Sequence, residues 1–300
     1  MDAETRNAVD HVILTRFNLP SPGYERSVRE RDGWLEKRVS LFERYCLPTV
    51  SAQSTQAFSW IAYFDPASPM WLRERIEAWS AKGPLTPIFR SEVSADQLVS
   101  DLADVSGART RTLVTTNVDN DDAIARDFVE RIQGLAEHGS TAAIYLARGL
   151  IGAVPFVYRR TDRVNAFCSV SSSWEDAATC WKDWHNELHR HMPVKLGWGE
   201  PAWLQVIHGT NVSNRVHGTM VSPSAYAALF PGIFEDGWLQ PSGVDRVLDS
   251  SVRRPLRWGR EAARGAAKRV IVATAGRTAL DRVRDRMRGR RGASTPSKDA

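Results

Sequence analysis

Cysteine is scarce: Cys46, Cys168 and Cys180 are the three in 300 residues. Their number is odd and no pair has the spacing of a redox motif or a zinc site. That excludes a disulfide-built scaffold and a cysteine-ligated structural metal, and reduced, buried thiols are expected. Long apolar runs are also missing. Nothing approaches the roughly 18 consecutive apolar residues of a membrane-spanning helix. Residues 1–10 are polar and lack the apolar region of a signal peptide, so a cytoplasmic location is expected. Lysine is rare, 6 against 34 arginines, which points to a GC-rich genome more than to a function. Internal repeats are absent.

What is present is the material of a globular chain, with 42% hydrophobic and 9% aromatic residues. The formal charge of +5 hides a split. Residues 253–300 carry 15 Lys/Arg and 4 Asp/Glu, net +11, which leaves residues 1–252 at −6. A mildly acidic body with no nucleic-acid motif argues against nucleic acid as a partner. The basic tail has a partial apolar stripe through Leu256, Val270, Ile271, Val272, Leu280, Val283 and Met287. Such a tail fits a helix drawn to an anionic membrane surface; a solvated tail is the alternative.

β-branched and aromatic runs alternate with helical periods through the first half. Strands are expected at His11–Asn18, Phe58–Asp65, Pro84–Arg90 and Arg111–Val118. Helices are expected at Trp34–Pro48, Pro69–Ala81 and Ala95–Val105. A fourth follows the last strand, from the spacing of Ile124, Phe128, Ile132 and Leu135. This order predicts an α/β fold with a mixed, mostly parallel sheet flanked by helices. Further on, Ala142–Tyr158 reads as paired strands and Ala166–Trp174 as a serine-rich loop or edge strand. Trp174–His191 reads as a helix, Ala202–His208 as a strand and Ser222–Phe230 as a short helix.

The most informative stretch is Leu113-Val-Thr-Thr-Asn-Val-Asp-Asn-Asp-Asp-Ala-Ile124. Several carboxylates stand where a strand gives way to a helix, at the sheet edge where open α/β folds bind ligands. Asp119 and Asp121, one residue apart, can offer hard oxygens to Mg²⁺ or Mn²⁺, and such a cation can neutralise a diphosphate. The competing reading makes Asp122 a helix cap and its neighbours solvated turn residues. Asp65 and the pair Arg16 and Asn18 close two other strands at the same edge. Asp65-Pro66 also reads as a plain turn, and Arg16 as half of a surface ion pair. His208 ends an apolar strand, where a histidine is ordinarily structural.

Five strings occur in order: His11–Asn18, Leu41–Val50, Phe58–Asp65, Val114–Ala123 and Trp203–Asn214. Together, over residues 10–220, they resemble the putative rhamnosyltransferase family of bacterial GT-A-type glycosyltransferases. One departure is Asn117-Val118-Asp119, where members usually carry Arg-Leu-Asp. The resemblance implies a GT-A-like nucleotide-diphospho-sugar transferase fold. A donor half at about 10–140 and an acceptor half at about 141–252 would precede the tail of 253–300. It implies that Asp119, Asp121 and His208 bind a divalent cation, Mn²⁺ or Mg²⁺, and that Arg16, Asn18, Asp65 and Asp119 contact a nucleotide-diphosphate sugar. The sugar would pass to a cell-envelope glycan or a lipid-linked acceptor. An inverting transfer needs a proton acceptor, and Glu175 and Asp176, at the start of the expected Trp-rich helix, are the candidates, with His185 another. A metal-dependent phosphohydrolase or nucleotidyltransferase could use the same acidic cluster, and a membrane-docked glycan-binding module is the non-catalytic alternative.

Overall fold

The computed structural model describes residues 9–20, 32–108, 110–208 and 215–259. Two compact units divide the chain, residues 1–246 and 247–300. No helix among the described residues is long and apolar enough to cross a membrane.

In the first unit β1 (Asp10–Arg16) runs through the middle of a seven-stranded sheet. Six of its seven residues are buried, as a strand covered on both faces requires. β2 (Ser59–Phe64), β3 (Leu85–Phe89) and β4 (Thr112–Asn117) join it in the order β3-β2-β1-β4, all parallel. Beyond β4 lie β9 (Ser169–Ser173), β6 (Ala142–Leu146) and β10 (Val194–Gly197). β9 is antiparallel to both of its neighbours. The sheet is thus mixed and mostly parallel, as the β-α alternation predicts. Val12 and Leu14 point to a core shared with Leu98 and Leu102 of one helix, α4 (Ala95–Ser106). Ile13 and Phe17 point to the opposite core. There they meet α1 (Trp34–Leu41), α3 (Met70–Ser80) and α5 (Phe128–Leu135).

A smaller sheet has the order β12-β8-β7-β11-β5. Its strands are β5 (Ala123–Ile124), β7 (Arg148–Ala153), β8 (Phe156–Thr161), β11 (Trp203–Val206) and β12 (Thr219–Val221). Trp203 fixes its position against the larger sheet. The indole donates to Leu146 O at 2.8 Å and stacks on Phe167 with centroids 5.2 Å apart. A Cβ on Gly149 would lie 2.0 Å from that ring, so only glycine fits beneath it.

Several expectations need correction. The first helix does not stop at Pro48. A π turn over Phe42–Cys46 leads into α2 (Leu47–Ser51), with Leu47 N donating to Phe42 O. The wider turn accommodates a proline that has no N–H to give and a ring that crowds the preceding turn. Trp174–His191 is not a helix but an irregular segment ending in a 3₁₀ turn at Leu188–Arg190. Side-chain oxygens of Ser173, Ser172, Thr115, Thr179 and Asp183 accept from the N–H groups of Asp176, Ala178, Cys180, Trp181 and Trp184. Those donors are the ones a helix would need. The serine-rich 169–173 segment is not at an edge. Its hydroxyls are satisfied internally, Ser171 by Ser140 O and Ser172 by Ala178 O. The helix after the acidic stretch begins at Phe128, because Ile124 pairs with Trp203 and Ala125 N donates to Ala202 O.

The second unit is described over residues 247–259. There the last residues of α6 (Gly243–Leu248) continue through a π turn, Asp249–Arg253, and stay helical to residue 259. The rest of the expected basic tail, 260–300, lies outside the described residues.

Candidate functional site

The carboxyl ends of β1, β2 and β4 form one edge of the larger sheet. The segment leaving β4 is fastened there before its carboxylates are placed. Val118 N donates to Leu14 O at 3.0 Å, and Thr15 Oγ1 to Val118 O at 2.8 Å. Asn120 is buried and points inward, its amide donating to Arg16 O and Phe17 O at 3.1 and 2.6 Å. With Asn120 turned in, Asp119 is left open to solvent and Asp121 is turned toward the second sheet. Asp122 is not a helix cap. Its Oδ1 accepts from Val206 N at 2.8 Å and so binds the acidic turn to the end of β11.

That tie brings His208 to the acidic turn. Its Nε2 lies 2.7 Å from Asp121 Oδ2. The same oxygen receives Arg38 from α1 at 2.7 Å, and Arg38 also donates to Asn120 Oδ1 at 2.9 Å. Burial pushes the Asp121 carboxyl up, but the His208 hydrogen bond and the Arg38 charge outweigh it and hold it below its ordinary value. Asp122 is pushed well above the carboxylate range by burial and then by Asp121 and Asp119. Asp119 is raised first by desolvation of its carboxyl among its neighbours and then by the charge of Asp121, against Asn117, Arg38 and Arg16, which lower it. Asp119 and Asp122 thus both feel the charge of Asp121. Cys46, buried beneath, has its thiol raised by burial and by the same three carboxylates.

Arg16 and Asp65 flank this group. Arg16 is exposed, its Cζ 4.2 Å above the Trp181 ring. Trp181 donates to Asn117 Oδ1 at 2.8 Å, and Asn117 Nδ2 to Asp119 Oδ1 at 3.3 Å. Asp65 forms a turn, its Oδ1 accepting from Ala67 N at 2.7 Å. Asn18 is buried and its amide is engaged on that turn, accepting from Asp65 N and donating to Ser68 Oγ, both at 3.0 Å. It positions Asp65 at this edge.

Glu175 and Asp176 are not brought to this edge. Ser173 pairs with Thr112 at the start of β4, while Thr116 pairs with Ser169 near its end. Both acids follow Ser173, so they sit at the opposite edge, a strand's length or roughly 17 Å from Asp119. They cannot act as proton acceptors for a reaction at the acidic turn. His185 is on the right side. Its carbonyl accepts from the Tyr145 hydroxyl, and Tyr145 follows Ile144, which shares Ser169 as a partner with Thr116. Burial lowers the His185 pKa below its ordinary value. Residues 209–214, the end of the Trp203–Asn214 string, lie outside the described residues.

Asp121 and His208 are the pair able to grip a cation, with Asp119 open beside them. No set of three His, Cys, Asp or Glu side chains among the described residues forms a ready cage. Two protein donors nonetheless suit a hard cation, whose other positions are ordinarily filled by water and substrate phosphates. Sequence reasoning missed the parts played by Arg38 and Asn120. Arg38 had a signal: it interrupts the stripe Trp34, Arg38, Leu41, Phe42, Tyr45, where a charged residue on a buried face needs a partner.

The model of the family described as "Putative rhamnosyl transferase" matches residues 10–220. No curated protein matches the chain significantly. Among solved structures, it is similar to a nucleotide-diphospho-sugar transferase, described as putative, from Desulfovibrio desulfuricans G20. Identity there is 12%, with 64% of this chain and 81% of that one covered and a TM-score of 0.35. Staphylococcus aureus TarS 1–349 in complex with UDP gives 11% identity, 66% and 60% coverage and a TM-score of 0.39. The chain thus spans about three fifths of that TarS chain. The inositol-1-phosphate CTP transferase of T. maritima gives 10% identity, 78% and 99% coverage and a TM-score of 0.35. These likenesses are distant and carry no weight for substrate or chemistry.

Proposed function

Since the chain belongs to the putative rhamnosyl transferase family, we propose that it transfers a sugar from a nucleotide-diphosphate donor held at the Asp119–Asp121 edge. Rhamnose is the sugar the family description favours, and a cell-envelope glycan or glycolipid is the acceptor. The observation that carries the reading is the convergence of Asp121, His208 and Arg38 within 2.7 Å contacts beside an open, electrostatically crowded Asp119.

In this reading a divalent cation, Mn²⁺ or Mg²⁺, is gripped by Asp121 and His208 with Asp119 beside them. When bound it supplies Lewis-acid stabilisation for the charge that develops on the leaving diphosphate. The chain's own residues do the rest. Arg16, exposed and braced on Trp181, offers a planar fork to a phosphate. Asp65, fixed by Asn18, presents its free oxygen as an acceptor for the nucleobase. Arg38 and Asn120 keep the acidic turn in register. His185 has its imidazole held neutral near pH 7, the form that can accept a proton from the acceptor hydroxyl.

A thermal-shift series of nucleotide-diphosphate sugars, with and without Mn²⁺, tests this. Binding to the native state raises the melting temperature by mass action. The expected result is a rise for one nucleotide class that needs the cation. The absence of any rise would overturn the donor reading, and a rise indifferent to Mn²⁺ would overturn the metal.

A further inference from the structure

The unit from Val247 onward carries an apolar row that nothing in the sugar-transfer reading uses. Leu248, Val252 and Leu256 are 39%, 45% and 56% exposed. Leu248, Val252 and Leu256 are four residues apart. In a straight α-helix that spacing drifts by about 40° at each step. The π turn over Asp249–Arg253 absorbs the surplus residue, so the three stay in line along the helix. Arg253 and Arg254 stand exposed beside the row. Arg257 is turned inward onto buried Asp249, at 2.7 and 3.2 Å, which neutralises the one acidic group among the described residues of this unit. The sequence that follows, 260–300, adds 12 Lys/Arg against 4 Asp/Glu.

We propose that this helix is an interfacial anchor, which lays Leu248, Val252 and Leu256 into the headgroup boundary of an anionic lipid surface. An aligned apolar row with arginine beside it is the pattern of a helix lying in that plane. The charge decides between occupants. Two copies paired through the row would oppose Arg253 and Arg254 to their own equivalents, whereas acidic headgroups complement them. A nucleic acid would leave the apolar row without a role. This inference stands independently of the sugar and the metal.

Vesicle flotation of the full chain tests it, with phosphatidylcholine alone and with phosphatidylcholine containing phosphatidylglycerol. Binding is expected only to the anionic vesicles. The double variant Val252→Asp/Leu256→Asp should reduce partitioning at least about tenfold. Arg253→Glu/Arg254→Glu should reduce it by roughly fivefold or more for each charge lost. All four side chains are exposed, so circular dichroism and melting temperature should match the parent chain. A decrease with both pairs supports the anchor. Equal binding to neutral vesicles, no binding at all, or anionic binding untouched by the two aspartates would overturn it. So would a dimer of the parent chain in sedimentation that the two aspartates dissociate.

Discussion

Arg38 shows how much of the site depends on one side chain from another element. It neutralises Asp121 and orients Asn120, and both acidic-turn residues are largely buried. Arg38→Gln leaves Asp121 with the His208 hydrogen bond and no guanidinium partner, and should cost about 2 kcal/mol in urea denaturation. Arg38→Lys keeps the charge but not the fork, and should fall between the two. His11 makes a different prediction. It is buried, its Nε2 meets Thr116 Oγ1 at 2.8 Å and its Nδ1 has no partner. Burial lowers its pKa from 6.5 to about 3. Below pH 6.5 the unfolded chain therefore takes up a proton that the folded chain does not. Stability should decline by about 1.4 kcal/mol per pH unit on the way down to pH 3. His11→Gln should remove that slope from the difference between the two denaturation profiles, and identical slopes would refute it.

At the scale of elements, the sequence was readable where local pattern and tertiary context agree. The strands that end in Arg16, Phe64 and Asn117 combine β-branched runs with turn residues, and their burial follows from parallel pairing. α4 is equally legible, because Ser94 and Gln97 form a capping box and Gly107 closes it at φ 77°. Reading failed where partners distant in sequence decide. The N–H groups after Trp174 are claimed by serine, threonine and aspartate oxygens, and Ile124 is claimed by Trp203. The candidate site divides the same way. Asp119 and Asp121 were visible as a string, whereas Glu175 and Asp176 were misplaced because the direction of β9 decides their edge. Gly149 carries this scale's prediction. Its alanine variant puts a methyl group into the Trp203 ring, which is buried, stacked and hydrogen-bonded. Gly149→Ala should destabilise by about 3 kcal/mol in chemical denaturation.

For the whole molecule, charge is arranged against stability at one place. Asp119 is raised by its neighbours and faces solvent, so it contributes little to the folded state as it stands. Asp119→Asn should leave the melting temperature of the free chain unchanged or slightly higher. The same variant should lose most of any Mn²⁺-dependent nucleotide shift. That pairing of gain and loss is expected where an acidic cluster is kept for binding. A variant that melts lower and still binds would argue that Asp119 is structural.

The reversed strand β9 bears on the order in which the chain can be assembled. β4 and β6 are both synthesised before it, yet in the sheet they meet only through it. β1 to β4 can zip together as soon as they leave the ribosome. β6 must wait, unpaired at its edges, until the serine-rich strand arrives to fill the gap and β10 closes the far side. Pulse-labelled hydrogen exchange during refolding should therefore find amides of β1 and β2 protected first and those of β6 late. The serines that looked like loop residues are then the keystone between the two halves of the sheet, polar enough to stay soluble until those halves are joined.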